Sequence, residues 1–362
     1  MTKLTKMTGL ALVAGMAWSA AQADDLLLAP AAPGPHPAYY MYEKFAGFLE
    51  EETGGATTGT ILGPEVIALP QIKDALQTGL ANVGNALPLY FAADFPQTGL
   101  AGDLALLGRS PHAMAWAMTE FGVNCAPCQD EFKQFGAVFT GAGSSNVYVL
   151  LTTKPVRTLD DLQGLRLRSG GAPYSRWAEN FGATPVNLPV GDTFEAMSQG
   201  TIDGTMASIV DMLSFRLVDV ATYVTDIPLG TYHVTSNFTV ASSTWADMSV
   251  EERTQFLRAA NRGNPQLTDR WGFQLPTAAQ EAVAEAGIEV IAPDADFLAA
   301  SEAFATADAD ARAAESELSA EFRALVEKWT VIVEEVGEDP EALADRAWDE
   351  IWAKVDIATY GL

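Results

Sequence analysis

The sequence predicts an α/β fold of two lobes with a cleft between them, followed by long C-terminal helices. Three observations predict it. At 362 residues the chain is too long for one ordinary compact core. Strand-like and helix-like segments alternate in two separate stretches, as a layered α/β domain requires. Residues 75–82 resemble residues 196–203, each reading as a helix end, a stop at Gly79 or Gly200, and entry into a strand. Two lobes built on one plan leave a gap where ligands commonly sit.

The elements follow in chain order. Lys3 and Lys6, an apolar run from Leu10 to Trp18, and Ala21-Gln22-Ala23 make a removable signal peptide over residues 1–23, with a membrane anchor as the alternative. Leu26-Leu27-Leu28-Ala29 reads as a buried strand. A Pro/Gly loop leads into a helix with Met41, Phe45, Phe48 and Leu49 on one face, stopped by Gly54-Gly55. Residues 57–62 form a strand, and Leu69, Ile72 and Leu76 mark a helix ending at Gly79. The second lobe repeats the unit: strand 165–168, helix 173–181, strand 185–188, and a helix over 192–199 ending at Gly200. Thr158-x-x-Asp161 and Asp192-x-x-Glu195 have capping-box spacing, so their carboxylates are expected to serve helix starts. From residue 249 to about 263, and from 294 to 336, Ala, Glu and Leu recur at helical spacing, and Asp339-Pro340-Glu341 opens a further helix.

Composition excludes several functions. A net charge of −26 repels phosphate backbones, so no nucleic-acid partner is expected. Hydrophobic residues at 48% and charged residues at 19% argue for a folded chain. There is no G-x-S-x-G elbow, which leaves a hydrolase without support. Cys125 and Cys128 are the two cysteines, and in an exported protein they are expected to be oxidised. C-x-x-C also resembles a redox pair. A thiol–disulfide oxidoreductase is therefore the rival reading, although the pair follows a helix-like run at 112–121 rather than a strand. Zinc would need two further ligands, and His112 is the one nearby His, so neither metal nor cofactor is expected.

The chemistry-bearing segment is Leu165-Arg166-Leu167-Arg168-Ser169-Gly170-Gly171-Ala172-Pro173. Strand alternation puts Arg166 and Arg168 on one face. The strand tip then presents a guanidinium beside helix N-terminal N–H groups, and both favour an anion. Structural ion pairing of the two arginines is the alternative.

This segment, from Leu159-Asp160-Asp161-Leu162-Gln163-Gly164 onward, resembles the solute-binding proteins of tripartite ATP-independent periplasmic (TRAP) transporters, of the C4-dicarboxylate-binding type. The likeness continues through Gly182-Ala183-Thr184-Pro185-Val186 and Ala196-Met197-Ser198-Gln199-Gly200-Thr201-Ile202-Asp203-Gly204. It implies a periplasmic binding protein type II fold: two α/β lobes with an interlobe ligand cleft and long C-terminal helices. Residues 24–147 with about 235–275 would form one lobe, and residues 148–234 with about 276–362 the other and its packing helices. It implies a non-enzymatic periplasmic receptor, monomer or homodimer, that delivers a small carboxylate to membrane permease subunits. Arg168 would pair with the ligand carboxylate, while Arg166 stands where the family more often has a structural residue.

The chain departs from the family pattern at two places. Tyr148 falls where some relatives carry a second arginine, and Thr205-Met206-Ala207-Ser208 stands where some carry Glu and Asn. A monocarboxylate, or an acid with an apolar or aromatic body, is therefore expected. Cleft candidates are Tyr148, Met206 and Ser208, with Asn146, His36, Glu65, Tyr90 and His233 at strand-end loops. Tyr39, Leu87, Trp177, Asn237 and Phe238 are further possibilities.

Overall fold

The computed structural model describes residues 24–362, so the expected signal segment lies outside the described residues. Two sheets organise the chain. The first has the order β2-β1-β3-β10-β4, from β1 (Asp24–Ala29), β2 (Thr57–Ile61), β3 (Val83–Ala86), β4 (Ala137–Val138) and β10 (Ser236–Ala241). The second has the order β11-β9-β5-β8-β6-β7, from β5 (Val149–Thr152), β6 (Arg166–Ser169), β7 (Thr184–Asn187), β8 (Gly204–Ala207), β9 (Tyr223–Thr225) and β11 (Glu289–Ile291).

The same parallel unit sits in both sheets. β1 pairs in parallel with β2 and β3, and the crossovers are α1 (Pro37–Glu52) and α2 (Ile72–Thr78). β6 pairs in parallel with β7 and β8, and here the crossovers are α5 (Ala172–Asn180) and α6 (Thr193–Ser198). Gly79 (φ 75°) and Gly200 (φ 67°) both take the left-handed conformation that ends the second helix of each unit. Next, Asn82 Oδ1 accepts from Leu27 N at 2.8 Å, and Asp203 Oδ2 accepts from Arg166 N at 2.9 Å. One side-chain staple thus fastens the third strand to the first in both sheets.

Three segments pass between the sheets. Residues 139–148 and 226–235 run side by side and bond to each other, with Tyr148 N donating to Gly230 O (2.7 Å) and Ser145 N to Tyr232 O (2.9 Å). The third is α9 (Val250–Asp269), which packs on α1 and continues through a π-turn, Arg270–Gln274, into α10 (Leu275–Glu285) against α7 (Asp211–Ser214). In the chain, α3 (Pro111–Asn124) and α4 (Ala126–Phe135) lie between β3 and β4 of the first sheet, and α8 (Ser242–Asp247) follows β10.

Two local expectations change. The helical stretch at 294–336 is two helices, α11 (Ala295–Glu315) and α12 (Glu317–Val336), because Ser316 adopts an extended backbone and caps the second with its hydroxyl. α13 (Pro340–Glu350) then begins at an Asp339 cap, as the sequence indicates. The Thr158/Asp161 box forms, with Asp161 Oδ2 accepting from Arg157 N and Thr158 N. The Asp192/Glu195 box does not. Asp192 ends a short 3₁₀ turn and already has helical dihedrals, so its carboxylate makes no cap bond.

Candidate functional site

The site is built around the tip of β6. Arg166 and Arg168 share a face, but their fates differ. Arg166 holds Asp203 through Nε (3.0 Å) and Nη2 (3.2 Å), and also reaches Gly200 O (2.8 Å). Lys154 joins the same carboxylate at 2.8 Å. These bonds hold the Asp203 carboxyl far below its ordinary range. Arg166 is a structural clamp on β8.

Arg168, two residues on, is 1% exposed and lies under the opposite lobe. Its Nε donates to Leu188 O at 3.1 Å, and its Nη2 donates to the Tyr90 hydroxyl. No carboxylate of the described residues lies within salt-bridge distance of it. Burial opposes its charge, but the oxygens of Tyr90, Tyr148, Asp211 and Tyr232 outweigh that and keep it protonated. A buried guanidinium with a free edge is a place for an anion, since an uncompensated buried charge costs several kcal/mol.

That edge faces a cavity between the two sheets. Its wall comes from both lobes and from the connections between them. The first lobe gives Ala31, His36, Asn85, Leu87 and Tyr90; the second gives Arg168, Val190, Asp211 and Phe215. The linkers give Tyr148 and Tyr232, and the spanning helix gives Leu267 and Trp271. Aromatic surface dominates. Tyr148 stacks on Tyr174 (5.3 Å between centroids) and faces Tyr232 (6.3 Å). His36 packs on Phe215 (5.3 Å) and edge-on to Trp271 (5.1 Å).

Protonation follows from burial. His36 is pushed down to about 3 by desolvation, so it is neutral at physiological pH. Its Nδ1 accepts from Ala38 N at 3.0 Å, which places the ring proton on Nε2. Asp211 is pushed up to about 7, because burial outweighs the attraction of Arg168.

The structure gathers Arg168, Tyr148, Tyr90 and His36 around this cavity, together with Leu87. It does not gather the other candidates there. Ser208 accepts from Val210 N (3.0 Å) and donates to Asn146 Oδ1, so these two side chains hold each other. Asn146 lines a separate groove with Arg109 and Phe273. Met206 is wholly buried in β8, and Glu65 is exposed beside Gly63. His233 is locked between Ala101 O (3.1 Å) and the ring of Phe322. Trp177 donates to Ser301, Asn237 donates to Asn264, and Phe238 stacks on Phe45. Tyr39 is absent from the lining too. The two glycines after β6 differ: Gly170 lies against the Arg168 guanidinium, where a Cβ would sit 3.5 Å from Nη1, and Gly171 packs under Leu89. A Cβ on Gly171 would sit 2.9 Å from Leu89 Cδ1, so Leu89 covers the start of α5.

Asp211, Tyr232, Asn85, Phe215 and Trp271 were missed from sequence. Asp211 alone carried a signal: a carboxylate inside the apolar run Ile209-Val210-Asp211-Met212-Leu213 has no reason to be there unless it is used or paired.

Cys125 and Cys128 form a disulfide with both residues buried. Cys125 is also the N-cap of α4, its Sγ accepting from Cys128 N at 3.2 Å. A buried pair between two helices is poorly placed for thiol exchange. Among the described residues no His, Cys, Asp or Glu cluster has the form of a metal site, and no helix is long and apolar enough to cross a membrane.

Comparison with known proteins places this geometry. The family model for bacterial extracellular solute-binding proteins, family 7, matches residues 29–315. A solute-binding protein of Albidiferax ferrireducens is 34% identical over 79 residues, which are 22% of this chain and 23% of that protein. A solute-binding protein of Roseobacter denitrificans is 29% identical over 115 residues, 31% and 34% of the two chains. These alignments therefore span about a quarter to a third of those curated relatives. Solved structures align over far more. A TRAP solute-binding protein of Rhodoferax ferrireducens with copurified benzoate has a TM-score of 0.75 at 18% identity, covering 85% of this chain and 99% of that one. One from Bordetella bronchiseptica with bound mandelate has a TM-score of 0.73 at 24% identity, covering 84% and 99%. A marine metagenome protein specific for aromatic acids, with 3-hydroxybenzoate, has a TM-score of 0.75 at 18% identity, covering 85% and 99%.

Proposed function

The chain belongs to family 7 of the bacterial extracellular solute-binding proteins, the transport receptors of TRAP systems, and on that premise we propose that it captures a small monocarboxylate between its lobes. The ligand carboxylate docks on the free edge of Arg168, and its apolar body lies among Tyr148, Tyr232, Phe215 and Trp271. The observation that carries this reading is a buried guanidinium, without a carboxylate partner, facing an aromatic-walled cavity. Arg168 is the one arginine or lysine among the lining residues described, which suits one carboxylate rather than two. The acids bound by the three structural relatives above are of the same size and class.

Residues 1–23 direct export to the periplasm in this reading. Residues 24–147 with about 235–275 move as one lobe, and residues 148–234 with about 276–362 as the other. Ligand entry requires the Tyr90–Arg168 bond, which joins the lobes, to open, and closure over the ligand shifts a hinged two-state protein. The closed form then delivers the acid to membrane permease subunits. The rival thiol chemistry at Cys125 and Cys128 is not favoured, since both sulfurs are bonded and buried.

The test is calorimetry on a panel of small acids with wild type and Arg168→Ala. Removing one member of a buried charge pair costs roughly 2–5 kcal/mol, or about 30- to several-thousand-fold in affinity. Near-normal affinity in the variant would sink the proposal.

A further inference from the structure

Arg168 answers one end of a ligand, and the rest of the cavity makes a different demand. Two lining residues carry a buried C=O-type side-chain oxygen with no hydrogen-bond partner among the described residues: Asp211 Oδ1 and Asn85 Oδ1. Asp211 is 2% exposed and Asn85 6%. The Asn85 amide is oriented by its own bond, Nδ2 donating to Pro30 O at 3.2 Å, so the oxygen is the atom left over. Both orphans are acceptors. The Tyr232 hydroxyl, also unpartnered and in the same wall, can give or take. Buried polar atoms are satisfied in native complexes, and leaving one unmet costs about 1–3 kcal/mol.

Asp211 is also not spent on Arg168. The two face the same cavity without coming within salt-bridge distance, so a molecule between them can use both. Neither orphan suits a plain hydrocarbon body. Arg168 on β6 and Tyr148 on a linker couple to Asp211 electrostatically, and Tyr232, Tyr90, neutral His36 and Trp271 share the cavity wall with it.

We infer that the ligand is a hydroxylated monocarboxylic acid with a ring-sized apolar body, and that Asp211, with Asn85, is the specificity-determining reader of its hydroxyl. This deepens the carboxylate reading and rests on it. An uncharged hydroxyl fits better than an ammonium. Asn85 offers a neutral acceptor, and burial pushes the neighbouring carboxyl toward its uncharged form near neutral pH. A site shaped to pair a hydroxyl discriminates strongly against the analogue that lacks it, because the buried acceptors are then left unmet.

The experiment uses matched acids on the mature protein by calorimetry at pH 7.5: benzoate against its 2-, 3- and 4-hydroxy derivatives, and phenylacetate against mandelate. At least one hydroxylated acid should bind about tenfold or more tighter than its parent, the scale of one hydrogen bond to a buried carboxyl. Asp211→Leu should bring that advantage below about threefold while the parent acid still binds through Arg168. If Asp211→Leu fails to fold, Asp211→Ala and the wild-type ratio decide. No hydroxyl preference in wild type, or a preference that survives loss of the carboxyl, overturns the inference and leaves the carboxylate reading standing. Binding of none of these acids overturns the ring-bodied ligand of this inference, and equal binding by Arg168→Ala overturns the carboxylate reading itself.

Discussion

Asp211→Asn should make the free protein more stable, and the gain should grow with pH. In the fold the carboxyl is pushed up from 3.8 to about 7, chiefly by burial. In the unfolded chain it ionises near its ordinary value. Between those two values the folded state holds the proton that the unfolded state has lost, so stability falls as pH rises through this window. At about 1.4 kcal/mol per pH unit, the full cost above pH 7 is about 4 kcal/mol. The Asn variant cannot ionise and escapes it. Urea unfolding of wild type and variant, without ligand, at intervals from pH 4 to pH 8 reads the difference directly. All other titrating groups are common to both proteins and cancel. The difference should widen by about 2–4 kcal/mol from pH 4 to pH 8. Parallel pH profiles would show that Asp211 is not a desolvated carboxyl, and the electrostatic picture of the cavity would fall with it.

Gly230 lies on the linker with φ 70°, and a Cβ there would sit 1.9 Å from Ala105 O. Gly230→Ala should therefore lose a few kcal/mol in a melt, and a wild-type midpoint would mean that the linker is not held as described. His112 is buried with neither ring nitrogen partnered, stacked on Phe273, and pushed down to about 4 by desolvation. His112→Phe should gain stability over wild type as pH falls from about 6.5 to 4, where the unfolded His takes up the proton first; an unchanged acid midpoint would refute this. Replacing Cys125 and Cys128 together by Ser should lower the melting temperature and leave acid binding within about threefold, since the pair lies outside the cavity lining; lost binding at full folding would show a functional role.

The parts of the fold legible in the sequence are those written locally. The Gly79 and Gly200 stops and the polar residue three positions on, Asn82 or Asp203, were visible as one repeated pattern. The structure gives that pattern a cause, because each polar residue staples its strand to the first strand of its own sheet. The β6 motif by itself put both arginines on one face, and it was the family resemblance that singled out Arg168 and set Arg166 apart as structural. Partners joined over long sequence distances were not legible. Trp271 lines the cavity from within a π-turn of the spanning helix, and no spacing rule anticipates that turn. Ser208 and Asn146 looked free in sequence but are consumed by each other across 62 positions. Asp192 had cap spacing, yet a 3₁₀ turn ahead of α6 made its backbone helical too early.

A crystal structure of the protein with an acid from its own binding panel tests the central claim most directly. The ligand carboxylate should lie within hydrogen-bond distance of the Arg168 Nη1 edge, with its body against Tyr148 and Trp271. A ligand whose carboxylate sits elsewhere, with Arg168 still held by Tyr90 and Leu188 alone, would contradict it.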